Sequence, residues 1–198
     1  MNIPNKITIA RIILSIICII LLVLPLEAFG INLPPVVVTP AIRVPVKYII
    51  CGCLFLIAST TDFIDGHIAR KYNLVTDFGK VMDAVADKIL VNGVLIALAC
   101  NGFIHMIVPI VIVCRDIFVD SIKMVVGNKI GAVGASKLGK LKTIFMMTGV
   151  TLMLFYNLPF EIWGLRIADA LIMIATILSV VSGIQYYVKN KKYLFDTK

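Results

Sequence analysis

Six long apolar segments, separated by short polar breaks, constrain the fold of this chain more than any other feature. They cover residues 6–26, 45–70, 78–100, 103–127, 139–158 and 161–188. A helix needs about 20 apolar residues to cross the roughly 30 Å hydrocarbon core of a bilayer. Hydrophobic residues make up 60% of the 198-residue chain, against roughly 45–50% in soluble domains. The sequence therefore predicts an all-α, integral membrane bundle of six transmembrane helices, forming one domain over residues 1–198.

The breaks between the segments are rich in residues that interrupt helices. Residues 32–40 read NLPPVVVTP, and residues 127–140 read GNKIGAVGASKLGK. Proline cannot supply the backbone N–H that a helix interior needs, and glycine clusters are typical of loops. We therefore expect both stretches to be connections between helices.

The basic residues predict how the bundle is oriented. If the N-terminus is cytoplasmic, thirteen lysines and arginines lie on the cytoplasmic side, and only Arg43, Lys47 and Arg166 lie near the opposite side. Cytoplasmic loops of membrane proteins carry such an excess of positive charge. We therefore expect a multi-pass protein of the cell membrane with both termini in the cytoplasm. The net charge of +8 comes without a basic stripe interleaved with aromatics, so no nucleic-acid partner is expected.

Four aspartates lie on the second and third segments at helical spacings. Asp62 and Asp65 are three residues apart, and Asp83 and Asp87 are four apart, so each pair shares a helix face. Because a short cytoplasmic connection makes the two helices antiparallel, the four carboxylates can converge about 12 Å from the turn. Acids at membrane depth usually mark a functional site. All-oxygen ligation favours Mg²⁺, Mn²⁺ or Ca²⁺, and four carboxylates suit a pair of metals that acts at phosphorus.

Small residues accompany these acids. Gly66, Ala69 and Gly79 lack the bulk that would keep a large ligand away from the backbone. Arg70 offers a planar cation that is suited to phosphate. Small residues also permit close helix packing in membranes, and both interpretations of Gly66 stay open.

The complete pattern, D-x2-D-G-x2-A-R-x8-G-x3-D-x3-D from Asp62 to Asp87, resembles the signature of the CDP-alcohol phosphatidyltransferase family at every fixed position. The resemblance implies a six-helix membrane enzyme, commonly a homodimer, with its site near the cytoplasmic surface. It further implies two divalent ions per site, Mg²⁺ or Mn²⁺, that hold the diphosphate of a CDP-linked lipid. An acceptor hydroxyl then attacks phosphorus and CMP leaves.

The resemblance also implies roles for individual residues. Asp62, Asp65 and Asp83 are expected to bind the metals. Asp87 is expected to be the catalytic base and to contact a metal as well. The expected CDP-diacylglycerol-binding residues are Asn5, Thr8, Asp62, Asp65, Gly66, Ala69, Arg70 and Gly79.

The amino-terminal sequence NIPNKITIARI resembles the start of the bacterial family members that use glycerol 3-phosphate as acceptor. Asn5 and Thr8 match residues that lie beside the nucleotide there, and their spacing of three places them on one helical face, which Arg11 extends. The alternative is ordinary helix initiation, because Pro4 suits a first turn.

A phosphate-bearing acceptor needs cations besides the metals. Arg115 lies inside the fourth segment, where an unpaired guanidinium is costly, and Asp116 at the next position is not expected to face it. Lys137 and Lys142 lie in SKLGKLKT (136–143), which again resembles the members that use glycerol 3-phosphate. We therefore expect Arg115, Lys137 and Lys142 to bind glycerol 3-phosphate.

Other interpretations remain open. The aspartate motif does not distinguish acceptors, so inositol phosphate, serine or phosphatidylglycerol could replace glycerol 3-phosphate. A cation-coupled transporter also buries acids, although usually at broken helices near the bilayer centre. Asp120 and Lys123, three residues apart, are expected simply to pair with each other, and Lys140 to contribute only to the positive-inside bias.

Overall fold

The structure is a computed structural model that describes residues 3–40, 42–71, 76–131, 134 and 136–195. It is 79% helical. Six α-helices lie in the described part of the chain, which confirms the predicted number. They are α1 (Ile3–Val23), α2 (Val46–Lys71), α3 (Asp77–Cys100), α4 (Ile107–Ile130), α5 (Lys137–Leu154) and α6 (Ile167–Phe195).

Two connections in the described part of the chain, α1–α2 and α5–α6, contain structure that the sequence pattern did not predict. Two short antiparallel strands, β1 (Val36–Thr39) and β2 (Ile42–Val44), form a hairpin within the first connection. Short 3-10 helices cover Leu26–Phe29 and Phe160–Trp163. The valines of β1 are β-branched residues that favour strands, so this connection departs from a purely α-helical chain.

Several helix ends differ from the hydropathy boundaries, for local reasons. Residues 101–106 form a turn, so α4 begins at Ile107 rather than at 103. The positive φ angles of Tyr156 and Asn157, 57° and 55°, are left-handed conformations that do not continue a helix. For that reason α5 ends at Leu154, although the apolar sequence continues to 158.

The bundle consists of two groups of three helices that share one large core, with a smaller apolar cluster between α4 and α6. α1 packs against α2 and α3, while α6 packs against α4 and α5. All six helices contribute to a single cluster of buried apolar residues, with Phe55, Leu98 and Ile112 among its fully buried members. α5 approaches α6 closely at Gly149, where an added Cβ would lie 3.2 Å from the backbone nitrogen of Ile172. Small residues allow two helices to approach each other this closely.

The outer surface of the bundle is strongly apolar. Ile13, Ile17 and Ile20 of α1 and Ile177 and Val188 of α6 are among the exposed large side chains. An apolar surface of this extent is typical of contact with lipid. Among the helices that the structure describes, two are long and apolar enough to cross a membrane, over Asn5–Val23 and Ile167–Leu194. The remaining four carry most of the predicted site's charges, and their crossing of the membrane stays a prediction.

Candidate active site

Arg11 is the centre of the first part of the site. Its side chain is only 1% exposed, and its Nη2 donates a 2.8 Å hydrogen bond to Asp83 Oδ1 on α3. Its Nη1 pairs with Asp62 Oδ1 on α2. A buried guanidinium needs such partners, because an uncompensated buried charge is strongly destabilising. One cation from α1 therefore joins carboxylates from two neighbouring helices, a contact that the sequence pattern did not predict.

The carboxylates around Arg11 fit a cation site. Asp62 and Asp83 offer only oxygen ligands, as Mg²⁺ and Mn²⁺ prefer, and they already share one positive charge. Their side chains are 42% and 49% exposed, so ions in solution can reach them. Among the side chains that the structure describes, no group of three Asp, Glu, His or Cys residues is arranged to hold a metal. The side chain of Asp65, the remaining predicted ligand on α2, lies outside the described side chains.

The residues predicted to face the nucleotide divide into two sets. Asn5 and Thr8 are buried, 8% and 4% exposed, on the same face of α1 as Arg11. Gly66, Ala69 and Arg70 belong to α2, but the structure describes only the backbone of this stretch. The predicted roles of these three therefore lie outside the described side chains.

Gly79 has a packing role at the start of α3. Thr76 caps this helix, since its Oγ1 accepts a 3.0 Å hydrogen bond from the Gly79 backbone N–H. Asn5 Nδ2 donates to the same oxygen over 3.3 Å. An added Cβ on Gly79 would lie 2.7 Å from Asn5 Oδ1, closer than side chains pack. A side chain at this position would therefore displace the Asn5 side chain that joins α1 to the cap of α3.

A polar cavity forms the second part of the site, between α3, α4, α5 and α6. Its volume is about 180 Å³, and a smaller cavity of about 40 Å³ adjoins it through shared lining residues. Both cavities are lined by Asp87 and Lys88 of α3, by Asp116 of α4 and by Lys142 of α5. The larger one is also lined by Arg115. Tertiary packing thus brings the predicted base Asp87 to the same cavity as two of the predicted phosphate-binding cations.

Arg115 is held from three sides. Its Nε donates a 3.0 Å hydrogen bond to the backbone oxygen of Ser179, and its Nη2 donates a 2.7 Å hydrogen bond to Ser182 Oγ. Its Nη1 lies 3.0 Å from Asp116 Oδ1. The expectation that Asp116 does not face Arg115 is therefore wrong: the long arginine side chain folds back far enough for the guanidinium to reach the carboxylate of the next residue.

Lys142 shares the carboxylate of Asp116. Its Nζ donates a 2.7 Å hydrogen bond to the same Oδ1 atom that Arg115 contacts. Lys142 is 8% exposed, because its position in the first two turns of α5 points into the bundle. Lys137, by contrast, begins α5 with an exposed side chain and is not part of the cavity lining. Of the two lysines predicted to bind the acceptor, the structure brings only Lys142 to the cavity.

The cavity also contains residues for which the sequence predicted no role in the site. Lys88 pairs with Asp120. Asp120 Oδ1 lies 3.4 Å from Lys123 Nζ, so the expected pair of Asp120 and Lys123 is confirmed, and both residues line the cavity. Tyr186 of α6 completes that wall. Two features of the sequence could have indicated these residues: Lys88 directly follows Asp87, and Asp120 and Lys123 form a charged pair inside an apolar segment. Nothing in the sequence distinguished Tyr186 from the other aromatic residues.

Comparison with known proteins connects this chain to one family. The family model described as CDP-alcohol phosphatidyltransferase matches residues 1–184. The chain is similar to the CDP-diacylglycerol–glycerol-3-phosphate 3-phosphatidyltransferase of Bacillus subtilis (strain 168), with 39% identity over 96% of this chain and 95% of the relative. It is also similar to the protein of the same description from Rickettsia bellii (strain RML369-C), with 33% identity over 97% of both chains. The match of motif, helical bundle and nearly full-length relatives shows that this chain belongs to the CDP-alcohol phosphatidyltransferase family.

Proposed function

We propose that this chain transfers the phosphatidyl group of CDP-diacylglycerol to glycerol 3-phosphate, which gives phosphatidylglycerophosphate and CMP. The observation that carries the proposal is the cavity in which Asp87 meets Arg115 and Lys142, three residues from three helices. The described activity of the relatives from Bacillus subtilis and Rickettsia bellii supports the same reaction. The product is a precursor in phosphatidylglycerol and cardiolipin synthesis.

The cavity has the charges that a dianionic acceptor needs. Arg115 and Lys142 bind the phosphate of glycerol 3-phosphate, the arginine through its planar fork and the lysine as a compact charge. Their low exposure strengthens attraction to an anion, because the surroundings screen charge less than water does. Lys137, exposed at the start of α5, lies outside this pocket and attracts the acceptor from the cytoplasmic solution.

Asp87 acts as the general base. A base must come within hydrogen-bond reach of the proton that it removes. Asp87 lines the same cavity as Arg115 and Lys142, so an acceptor whose phosphate these cations hold has its hydroxyl groups in the cavity with the Asp87 carboxylate. The carboxylate receives the hydroxyl proton as the oxygen attacks phosphorus. No covalent intermediate with the protein is required.

Divalent metal is bound by the four aspartates of the motif, Asp62, Asp65, Asp83 and Asp87. The family is generally dependent on divalent metal, and Mg²⁺ or Mn²⁺ fits the oxygen ligands around Arg11. When bound, two such ions would neutralise the diphosphate of CDP-diacylglycerol and stabilise both the attacking and the leaving oxygen. Asn5, Thr8, Gly66, Ala69, Arg70 and Gly79 form the nucleotide pocket beside these acids.

The membrane arrangement follows from the same proposal. All six helices cross the cell membrane, with both termini and the site on the cytoplasmic side, and the chain forms a homodimer. The two acyl chains of CDP-diacylglycerol lie against the exposed apolar faces of the helices, such as the isoleucines of α1. The positive-inside distribution of lysine and arginine supports this orientation.

A CMP-release assay on the purified chain in detergent tests the proposal. CDP-diacylglycerol is supplied with glycerol 3-phosphate, serine, inositol phosphate or phosphatidylglycerol in separate reactions, each with Mg²⁺ and each repeated with EDTA. We expect CMP only with glycerol 3-phosphate and only without EDTA. CMP release with another acceptor alone would overturn the choice of acceptor. If no reaction releases CMP, and the same protein reconstituted in sealed lipid vesicles carries cations across the membrane, a transporter is favoured instead.

A further inference from the structure

Asp116 is an unexpected component of a pocket for a phosphate. Its Oδ1 atom accepts hydrogen bonds from Arg115 Nη1 at 3.0 Å and from Lys142 Nζ at 2.7 Å. The three side chains are between 10% and 18% exposed. The two cations that the proposed function assigns to the acceptor phosphate are therefore already bound to a carboxylate that lines the same cavity.

A carboxylate and a phosphate compete for the same kind of partner. Both accept charge-assisted hydrogen bonds from guanidinium and ammonium groups, and two anions at one place repel each other. An incoming phosphate must therefore weaken the contacts of Asp116, and a departing phosphate allows them to form again. Asp116 also compensates two poorly exposed cations that would otherwise be destabilising.

We propose that Asp116 competes with the acceptor phosphate for Arg115 and Lys142, and thereby limits how tightly the pocket holds that phosphate. The inference rests on the proposed function, because it assumes that the acceptor phosphate binds these two cations. The competition would assist product release, because phosphatidylglycerophosphate still carries the phosphate of the acceptor. Without the Asp116 carboxylate, Arg115 and Lys142 would hold the phosphate of both the acceptor and the product more tightly, and the product would leave more slowly.

The carboxylate also links three helices, which is a purely structural alternative. Asp116 of α4 contacts Lys142 of α5, and Arg115 is anchored to Ser179 and Ser182 of α6. If this link were its whole role, removal of the charge would loosen the pocket and weaken acceptor binding. The competition predicts the opposite direction, so the two roles can be separated by experiment.

The test is the steady-state kinetics of Asp116→Asn in the purified full-length chain, with glycerol 3-phosphate as the varied substrate. Asparagine keeps the size of the side chain and removes its charge. We expect the KM for glycerol 3-phosphate to fall about threefold to tenfold, the effect of removing a like charge that is close to the ligand. We expect kcat not to rise, and added phosphatidylglycerophosphate to inhibit more strongly than in the wild type.

Two further variants make the result specific. Asp116→Glu retains the charge and should bring the KM back towards the wild-type value. Asp169→Asn, an exposed carboxylate at the start of α6, removes one negative charge elsewhere and should leave the KM unchanged. If Asp116→Asn does not fold, Asp116→Ser replaces it, and failure of both neutral variants to fold would assign Asp116 a structural role and overturn the competition.

The outcomes separate this inference from the function on which it rests. Absence of CMP release by the wild type with glycerol 3-phosphate removes the proposed function and the competition with it. CMP release by the wild type, together with an unchanged or higher KM in folded Asp116→Asn, removes the competition alone. A lower KM with stronger product inhibition supports both.

Discussion

Arg11 on α1 donates a 2.8 Å hydrogen bond from Nη2 to Oδ1 of Asp83 on α3, although 72 positions separate the two residues. The same guanidinium pairs with Asp62. Two acids that repel each other are therefore held together by a positive charge that belongs to the chain itself. A divalent ion at these carboxylates would take over part of that function, and this exchange can be measured.

Arg11→Gln should destabilise the metal-free chain by about 1–3 kcal/mol. Loss of one partner of a buried ion pair costs about 3–5 kcal/mol, and the partial exposure of the two acids reduces that cost. Thermal unfolding in EDTA measures it. Excess Mg²⁺ should restore part of the stability, because the ion replaces the missing charge. The control is Lys6→Gln, which removes an exposed charge from the same helix. An equal loss of stability with and without Mg²⁺ would contradict the prediction.

Asp87→Asn should lower kcat by about 100-fold to 10,000-fold, the usual contribution of a general base. Binding of CDP-diacylglycerol should change little, because three other acids of the motif remain. Single-turnover CMP release and binding of the labelled lipid nucleotide are the two measurements. Asp169→Asn provides the matched control at an exposed carboxylate. Near-normal turnover by Asp87→Asn would exclude it as the base.

Lys142→Ala should raise the KM for glycerol 3-phosphate by about tenfold to a hundredfold, since a hydrogen bond to a charged group contributes about 1.5–3 kcal/mol. Lys137→Ala should have a smaller effect, because Lys137 is exposed and outside the cavity lining. Lys140→Ala, at another exposed position on α5, is the control and should behave like the wild type. A larger increase in KM for Lys137→Ala than for Lys142→Ala would show that the acceptor binds outside the cavity, near the exposed start of α5.

Gly149→Leu should destabilise the bundle by about 1–3 kcal/mol, the range for overpacked cores. The added side chain would push against Ile172, whose backbone nitrogen lies 3.2 Å from the position of a new Cβ. Gly127→Leu on α4 is the matched control, because a Cβ there meets no atom within 4 Å. The two melting temperatures in the same detergent give the comparison. Similar values would mean that α5 and α6 can separate at little cost.

Helical periodicity made several features predictable from the chain alone. The spacings of Asp62, Asp65, Asp83 and Asp87 place each pair on one face of its helix, whatever the rest of the fold does. Long apolar segments indicated six helices for the same reason: the lengths and faces of helices follow from local covalent geometry and hydropathy. The family motif could also be identified from the sequence alone, because its residues lie close together in the chain.

Contacts between distant helices depended on the tertiary structure. The hydrogen bond from Lys142 to Asp116 joins α5 to α4, and Arg11 reaches Asp83 across α1 and α3. Neither pairing can be derived from spacing, since it depends on how each helix is rotated and how deeply it packs against its neighbours. The local pattern thus determined which charges lie on which helix face, and only side-chain packing among all six helices decided which of those charges meet.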